Sequence, residues 1–108
     1  MVLVLFPDSN LRTAERRPAP VVQADDLRTG LPQTVVAMIS SNLARAGHGS
    51  RVVISPGKPE GRGSGLRTDS VVMMDNLATV LEVEVDRAIG ALPSLDAVDD
   101  ALRHTLDL

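Results

Sequence analysis

Short apolar runs bounded by turn-forming residues make up most of the chain as far as Pro93. Runs rich in Val, Leu, Ile and Met and bounded by Gly, Pro, Asn or Asp are typical of β-strands. They predict strands at residues 2–6, 18–23, 34–39, 51–55, 70–74 and 78–83, and a further short strand at 88–92. We expect the β-branched, apolar strand at 34–39 to be central in its sheet.

Polar segments rich in Gly and Pro separate these runs. Residues 8–14 and 25–32 are predicted to be loops, because polar and turn-forming side chains replace the apolar pattern there. Residues 56–65 contain four glycines and two prolines, which predicts an exposed, mobile loop. This segment lacks the Lys-Ser/Thr pair of a phosphate-binding P-loop, and a strand pattern follows it, so we interpret it as a surface loop or flexible lid.

The period of the apolar positions changes near the C-terminus. Leu95, Val98, Leu102 and Leu106 fall on one face of a helix, for which Ser94 is a suitable N-cap. Several short strands followed by one amphipathic helix indicate an α+β, mostly β fold, in which a small curled barrel carries the C-terminal helix across it. The 108 residues predict a single domain spanning 1–108.

Composition limits the chemistry that the chain can perform. Phe6 is the single aromatic residue, and the absence of cysteine excludes disulfides and thiolate metal sites. His48 and His104 share no metal-ligand spacing, and nothing in the sequence brings them together. We therefore expect two surface histidines, with neither a metal nor another cofactor. No signal peptide or membrane-spanning run is recognisable, which makes the cytoplasm the expected location.

Positive charge is concentrated in the first part of the chain. Residues 1–68 hold nine basic residues against five acidic ones, whereas residues 69–108 hold two against nine. Ten of the eleven basic residues are arginines, whose planar guanidinium suits bidentate contacts with phosphate. A polyanion would therefore meet the first part of the chain. The alternative is an uneven distribution of charge on an ordinary surface.

Arg16 and Arg17 directly precede Pro18 at the start of the second predicted strand. Proline excludes a helix here and holds the residue before it extended, so Arg17 is expected at the mouth of this strand. Two solvated arginines on an edge strand are the alternative. A second polar group follows the predicted strand at 34–39 and consists of Ser40, Ser41 and Asn42.

The order of these motifs resembles the MazF/PemK toxin family. The resemblance rests on Arg-Arg-Pro-Ala-x-Val-Val at 16–22, on Ser-Gly-Leu-Arg-Thr-Asp-Ser-Val-Val at 64–72 and, more weakly, on residues 75–80 and the tail from residue 88. It covers nearly the whole chain. It implies an SH3-like barrel of the CcdB/PemK type that forms a homodimer and acts as the toxin of a type II toxin–antitoxin pair. The partner would be a MazE-like antitoxin whose acidic tail covers the basic groove.

The same resemblance implies a ribosome-independent and metal-independent endoribonuclease that cleaves single-stranded RNA at selected sequences. The family's catalytic pair is an Arg before the Pro of the second strand and a Thr or Ser ending the third, which correspond to Arg17 and Ser40. Attack by the RNA 2′-hydroxyl would leave 2′,3′-cyclic phosphate and 5′-hydroxyl ends. The candidate RNA-binding residues are Arg12, Arg16, Ser41, Asn42 and Arg67.

Two positions depart from the family pattern. The chain begins inside the first strand, without the usual Gly-Asp lead-in, which raises the expectation of a natural start upstream. Ala78 stands where an Arg is common in the family. Absence of that arginine would weaken a contact near the site or the dimer seam.

Two other functions remain open at this point. A CcdB-like toxin that binds DNA gyrase without enzymatic activity would carry an aromatic residue in its C-terminal tail, whereas this chain ends in Thr-Leu-Asp-Leu. A catalytically inactive barrel that binds RNA or a partner is disfavoured by the presence of both Arg17 and Ser40. Loss of cleavage in Arg17→Ala would support the nuclease, and unchanged toxicity in that variant would indicate a protein target.

Overall fold

The structure of the chain is a computed structural model that describes residues 1–7, 14–24 and 27–108. In these ranges it contains six strands and one α-helix, together with three short 3₁₀ helices. The elements are β1 (Val2–Pro7), β2 (Ala14–Ala19), β3 (Gln33–Ser40), β4 (Arg51–Ile54), β5 (Ser70–Leu81), β6 (Val85–Ala88) and α1 (Asp96–Leu106). Most of the loop predicted at 8–14 lies outside the described residues.

Two three-stranded antiparallel sheets form the described part of the fold. The first sheet has the strand order β2-β1-β6, and the second has the order β3-β5-β4. The chain leaving β2 connects them: Val21 forms a bridge with Val36 of β3, and the Ala37 N–H donates to the Pro20 carbonyl at 3.1 Å. The mostly β architecture with a C-terminal helix that the sequence predicts is confirmed.

Aliphatic side chains form two buried clusters. The larger cluster lies between the second sheet and α1 and consists of Ala37, Ile54, Leu66, Val72, Met74, Val98 and Ala101. The smaller cluster lies against the first sheet and consists of Val4, Ala19, Val36 and Val80. Since no member of either cluster is aromatic, close packing of small and medium-sized aliphatic groups must stabilise both sheets.

Helix α1 lies against the second sheet, but only its middle is buried. Val98 is buried, whereas Leu95 and Leu106, at either end of the helix, are more than half exposed. The predicted cap is wrong by one residue: Leu95 occupies the N-cap, and the Ser94 hydroxyl accepts a hydrogen bond from the Asp96 N–H at 3.2 Å. No helix in the described part of the chain, α1 included, has the length and apolar character needed to cross a membrane.

Strand β5 is the largest departure from the sequence prediction. The strands predicted at 70–74 and 78–83 form this single strand, which is central in the second sheet, so β3 is not. A register shift leaves residues 74–76 outside the pairing of β5 with β3. The polar side chains of Asp75 and Asn76 in this bulge interrupt the apolar run and resemble a turn in the sequence.

The boundaries of β2 also differ from the prediction. The strand ends at Ala19 rather than running over 18–23, and Arg16 and Arg17 lie inside it rather than at its mouth. All six residues of β2 pair with β1, from one end of that strand to the other. Ladder hydrogen bonding to an apolar neighbour therefore extends this strand into a charged sequence that its own composition does not favour.

Strand β6 precedes the position predicted for it. It pairs with β1 and ends at Ala88, so the strand predicted at 88–92 is wrong. The backbone after β6 forms hydrogen bonds outside the named strands. The Ala91 N–H donates to the Gly63 carbonyl at 2.9 Å, and the Ile89 N–H donates to the Met1 carbonyl at 3.0 Å.

The Gly-rich segment at 56–65 is not exposed throughout, as the sequence suggested. Gly61 and Ser64 are buried. Gly65 has a φ of 84°, and a Cβ at this position would collide with the Ile89 carbonyl oxygen. Glycine is required here because the chain turns with positive φ directly against a neighbouring backbone.

Candidate functional site

Adjacent arginines of β2 lie on opposite faces of the first sheet. In the pairing with β1, Arg17 is opposite Val4 and Arg16 is opposite Leu5. Directly paired residues share a face of a sheet, and neighbours along a strand alternate. Val4 is fully buried whereas Leu5 is 42% exposed, so Arg17 lies on the inner face and Arg16 on the outer face.

On the inner face, Arg17 forms an ion pair with Glu15. Its Nε and Nη2 donate to the Glu15 Oε2 at 3.1 and 2.7 Å. The two side chains keep 49% and 60% of their surface accessible. Ion pairs this exposed contribute only about 0–1 kcal/mol to stability, so an anionic ligand can replace the Glu15 carboxylate.

Ser40 ends β3 at the seam between β2 and β3. The bridge between Val21 and Val36 sets the antiparallel register at this seam. Counting four residues back from Val21 and four forward from Val36 leads to Arg17 and Ser40, which lie opposite each other when that register is continued. β2 and β3 are in direct contact. Arg17 and Ser40 therefore belong to two strands that contact each other, and the Val21–Val36 bridge is the pairing that the described residues show between the chain after β2 and β3.

Backbone hydrogen bonds fix the polar residues that follow β3. The Ser40 Oγ accepts from the Asn42 N–H at 3.1 Å, and the Asn42 Oδ1 accepts from the Ala44 N–H at 3.1 Å. Ser41 and Asn42 are exposed, whereas Ser40 is partly buried. The three consecutive polar residues therefore share one short, hydrogen-bonded segment at the end of β3.

A cleft of about 410 Å³ opens on the outer face of the first sheet, and we name it the outer cleft. Its walls consist of Leu3, Arg16, Pro18, Gly65, Leu66, Arg67, Thr68, Ser70, Arg87 and Ile89. Two of its arginines converge on one carboxylate oxygen: the Asp86 Oδ2 lies 3.5 Å from the Arg16 Nε and 3.2 Å from the Arg87 Nη1. The outer cleft thus carries three arginines, two of which contact the Asp86 carboxylate.

The outer cleft holds two of the predicted RNA-binding residues, Arg16 and Arg67, and Arg12 lies outside the described residues. Sequence reasoning missed Arg87, which pairs with Leu3 across the β1–β6 ladder. A correct placement of β6 in the sequence would have identified Arg87 as a strand residue. The strand predicted at 88–92 begins one residue too late to include it.

The structure contradicts the expectation that nothing brings the two histidines together. The rings of His48 and His104 form an edge-to-face pair with centroids 5.9 Å apart. The His48 Nδ1 accepts a hydrogen bond from the Ser50 N–H at 3.1 Å, and a Cβ on Gly49 would collide with the His104 ring. This pair depends on the last turn of α1 packing beside the turn before β4, which sequence spacing does not reveal.

Arg51 and Asp75 form an ion pair near His48. The Arg51 Nη2 lies 3.0 Å from the Asp75 Oδ2. This hydrogen bond is the main cause that lowers the pKa of Asp75 below its ordinary value. Arg51 also donates to the Arg45 carbonyl at 3.0 Å, so the pair connects β5 to the segment before β4. Within the described ranges, no three His, Cys, Asp or Glu side chains gather into a group that could hold a metal ion.

Comparison with known proteins identifies the family. The family model for the PemK-like, MazF-like toxin of type II toxin–antitoxin systems matches residues 1–106. The chain belongs to this family. A search of curated protein sequences found no match.

Solved structures share the fold of this toxin-family chain. The Mycobacterium tuberculosis toxin MazF-mt6 is 23% identical with a TM-score of 0.74, and the match covers 100% of this chain and 98% of that chain. An Mtb toxin is 25% identical with a TM-score of 0.67 and coverage of 82% and 91%. A mycobacterial endoribonuclease in complex with its cognate antitoxin is 18% identical with a TM-score of 0.71 and coverage of 99% and 92%. The MazF/PemK fold expected from the sequence is confirmed.

Proposed function

We propose that this MazF-like toxin cleaves single-stranded RNA at selected sequences without a metal ion. The observation that carries the proposal is the contact between β2, which holds Arg17, and β3, which ends at Ser40. Membership of the PemK-like, MazF-like family supports it, as does a shared fold with a protein described as an endoribonuclease.

The proposed reaction is attack of an RNA 2′-hydroxyl on the adjacent phosphorus. The O2′–P bond forms as the P–O5′ bond breaks, which leaves a 2′,3′-cyclic phosphate and a 5′-hydroxyl. The 2′-hydroxyl loses one proton to a base, and the leaving O5′ gains one. DNA lacks the attacking hydroxyl and is therefore not a substrate.

Arg17 is proposed to stabilise the negative charge that develops on the phosphorane oxygens. A guanidinium is permanently charged, and its planar fork matches two phosphate oxygens. Fixed donors aimed at developing charge usually make the largest single contribution to catalysis. The phosphate takes the place of the Glu15 carboxylate, an exchange that the exposure of the Arg17–Glu15 pair permits.

Ser40 is proposed to donate its hydroxyl proton to the same phosphate and to orient the 2′-hydroxyl. Its Oγ already accepts the Asn42 N–H, which fixes the oxygen. A hydroxyl that accepts one hydrogen bond still has its own proton to donate. Because the oxygen is held by the backbone, little entropy is lost when the phosphate binds.

RNA binding is proposed to depend on arginine and backbone groups. The aromatic side chains that usually stack on unpaired bases are nearly absent, with Phe6 alone in the sequence. The proposed RNA-binding residues are Arg12, Arg16, Ser41, Asn42 and Arg67. We further propose that the protein acts in the cytoplasm as a homodimer of SH3-like barrels. Its proposed inhibitor is a MazE-like antitoxin; a protein with this fold is found with its cognate antitoxin.

The test is incubation of the purified protein with a long single-stranded RNA in EDTA, followed by mapping of the 5′ ends of the products. Discrete cuts with 5′-hydroxyl ends, absent in Arg17→Ala, are the expected result, and they would also give the recognised bases. Uncut RNA with wild-type protein, or equal cutting by Arg17→Ala, would contradict the proposal. Growth inhibition that survives Arg17→Ala would assign the toxicity to a protein target.

A further inference from the structure

The outer cleft combines positive charge with an apolar floor. Leu3, Pro18 and Ile89 form aliphatic surface within it. Its rim carries three arginines, which are Arg16 on β2, Arg67 before β5 and Arg87 on β6. Its volume of about 410 Å³ falls within the range of small-molecule sites, roughly 300–1,000 Å³.

We propose that the outer cleft binds one nucleotide of a single-stranded RNA, away from the phosphate that is cut. The inference rests on the proposed function, because it assigns a second contact on the same RNA strand. The arginines hold the phosphate of this nucleotide, and its base and ribose lie on the aliphatic floor. The outer cleft therefore selects the sequence around the cut rather than performing the cut.

The position of Asp86 shows that the outer cleft can clamp an anionic oxygen. One carboxylate oxygen of Asp86 contacts guanidinium nitrogens of both Arg16 and Arg87, at 3.5 and 3.2 Å. Two cations from different strands are thus already directed at a single oxygen. Arg16 and Arg87 are 64% and 67% exposed, so exchange of the carboxylate for an RNA phosphate costs little.

The geometry of β2 separates this contact from the reactive site. Arg16 and Arg17 are adjacent on one strand but lie on opposite faces of the first sheet. Neighbouring side chains of a strand point to opposite faces, so one phosphate cannot contact both arginines at once. A nucleotide bound beside Arg16 is consequently not the one whose phosphate meets Arg17.

The lining favours a nucleotide over an acidic peptide. A Glu or Asp side chain would pair with the arginines but would leave the aliphatic floor uncovered. A nucleotide supplies both an anion for the rim and a flat ring for the floor. The exposed hydroxyl side chain of Thr68 in the wall adds a group that can hydrogen-bond to a base edge or a ribose.

Two exposed ion pairs of equal length provide matched variants for the test. Arg87–Asp86 at the outer cleft and Arg103–Asp100 on α1 both have a nitrogen–oxygen distance of 3.2 Å. Binding of a labelled, mixed-sequence single-stranded RNA is measured at several salt concentrations, with Arg17→Ala added to every protein so that no RNA is cut. Thermal unfolding confirms that each variant is folded.

Removal of the cation and removal of its carboxylate should have opposite effects. Arg87→Ala should weaken RNA binding about tenfold and reduce the salt slope by about 0.7, as expected for one lost phosphate contact on a single strand. Asp86→Ala should strengthen binding about threefold, because it releases two guanidinium groups. Arg103→Ala and Asp100→Ala, which make the same charge changes elsewhere, should change affinity less than about twofold.

Equal losses of affinity in Arg87→Ala and Arg103→Ala would overturn the proposal. An Arg87→Ala protein that no longer binds polyglutamate but binds RNA as before would also overturn the proposal. That result would assign the outer cleft to an acidic protein segment. If the wild-type protein cuts no RNA but the Arg87 and Asp86 variants change RNA affinity as expected, the proposed nuclease function is contradicted. The proposal for the outer cleft then stands. If the wild-type protein cuts RNA at discrete sites but Arg87→Ala binds RNA with unchanged affinity, only the proposal for the outer cleft is contradicted.

Discussion

The two faces of β2 differ in what they place beside an arginine. On the inner face, Arg17 is paired with Glu15, and its strand contacts β3, which ends in a serine. On the outer face, Arg16 shares Asp86 with a second arginine above an aliphatic floor. Each arginine has a solvent-accessible carboxylate partner, and ion pairs this exposed are weak.

This difference shows how alternation along one strand can divide two tasks. Successive side chains of a strand point to opposite faces, so two adjacent arginines can serve the two proposed sites separately. The proposed inner site combines a cation with a hydroxyl donor, which suits stabilisation of a transition state. The outer site joins cations to apolar surface, which suits recognition of a nucleotide. Four substitutions, in order of expected effect, test whether the two faces act separately.

Ser40→Ala should reduce cleavage while leaving RNA binding intact. Loss of one donor to the developing charge typically lowers the rate about 100-fold, and the hydroxyl makes no contact with the outer cleft. Ser40→Thr keeps the hydroxyl and should retain most activity. Ser94→Ala, which removes a hydroxyl at the start of α1, is the control. Initial rates of RNA cleavage check this prediction, and equal rates for Ser40→Ala and Ser94→Ala would contradict it.

Gly65→Ala should damage the outer cleft through the backbone that forms its wall. The new Cβ would collide with the Ile89 carbonyl at a residue with positive φ, and we expect a loss of about 2–4 kcal/mol in unfolding free energy. Gly30→Ala has a similar φ of 77° but open space, so it should cost about 1–2 kcal/mol. Urea denaturation measures both, and equal losses would show that the contact with Ile89 is unimportant.

Asp75→Asn should lower the free energy of unfolding. Asp75 lies on β5, so we expect no specific effect on Arg16 or Arg17 of β2. The hydrogen bond from Arg51 lowers the pKa of Asp75 in the folded state, so its contribution is present above the unfolded pKa of about 3.9 and is lost as the pH falls through the folded value. We expect a loss of about 1 kcal/mol at pH 7 that shrinks below pH ~4. Denaturation of both proteins from pH 7 to 3 tests this. A constant difference across that range would contradict the ion-pair explanation.

Glu15→Gln should have the smallest effect and acts on the inner face. Removal of the competing carboxylate should strengthen RNA binding about two- to threefold, as a weak surface pair implies. Glu60→Gln, at an exposed residue of the Gly-rich segment 56–65, is the control for charge. Both are compared by RNA binding with Arg17 intact, using RNA in which 2′-O-methyl groups prevent cleavage. Weaker binding by Glu15→Gln would show that this carboxylate positions Arg17 rather than competing for it.

β3, β4 and α1 were the more predictable elements of the fold. The runs that became β3 and β4 are apolar and bounded by polar residues, and the helical period of α1 is clear, so local sequence was sufficient. β5 was divided in two because Asp75 and Asn76 lie in a bulge, which depends on pairing with β3. A register shift between strands has no signature in the sequence of either strand alone.

The first sheet and its sites were less predictable. β2 is charged, so its strand conformation depends on pairing with β1 rather than on its own composition. The motif resemblance predicts Arg17 and Ser40 as the catalytic pair, which stays a prediction, but it did not place Arg16 on the opposite face or identify Arg87. The contact between His48 and His104 was missed for a similar reason, since it joins residues more than fifty positions apart through tertiary packing.

The most direct test of this account is steady-state cleavage of one RNA by Arg16→Ala and Arg17→Ala, two identical substitutions at adjacent positions. The account predicts that Arg17→Ala lowers kcat about 1,000-fold with little change in KM, since it removes transition-state stabilisation. It predicts that Arg16→Ala raises KM about tenfold with kcat nearly unchanged, since it removes a binding contact away from the cut. Similar kcat losses in both variants would contradict the separation of the two faces of β2.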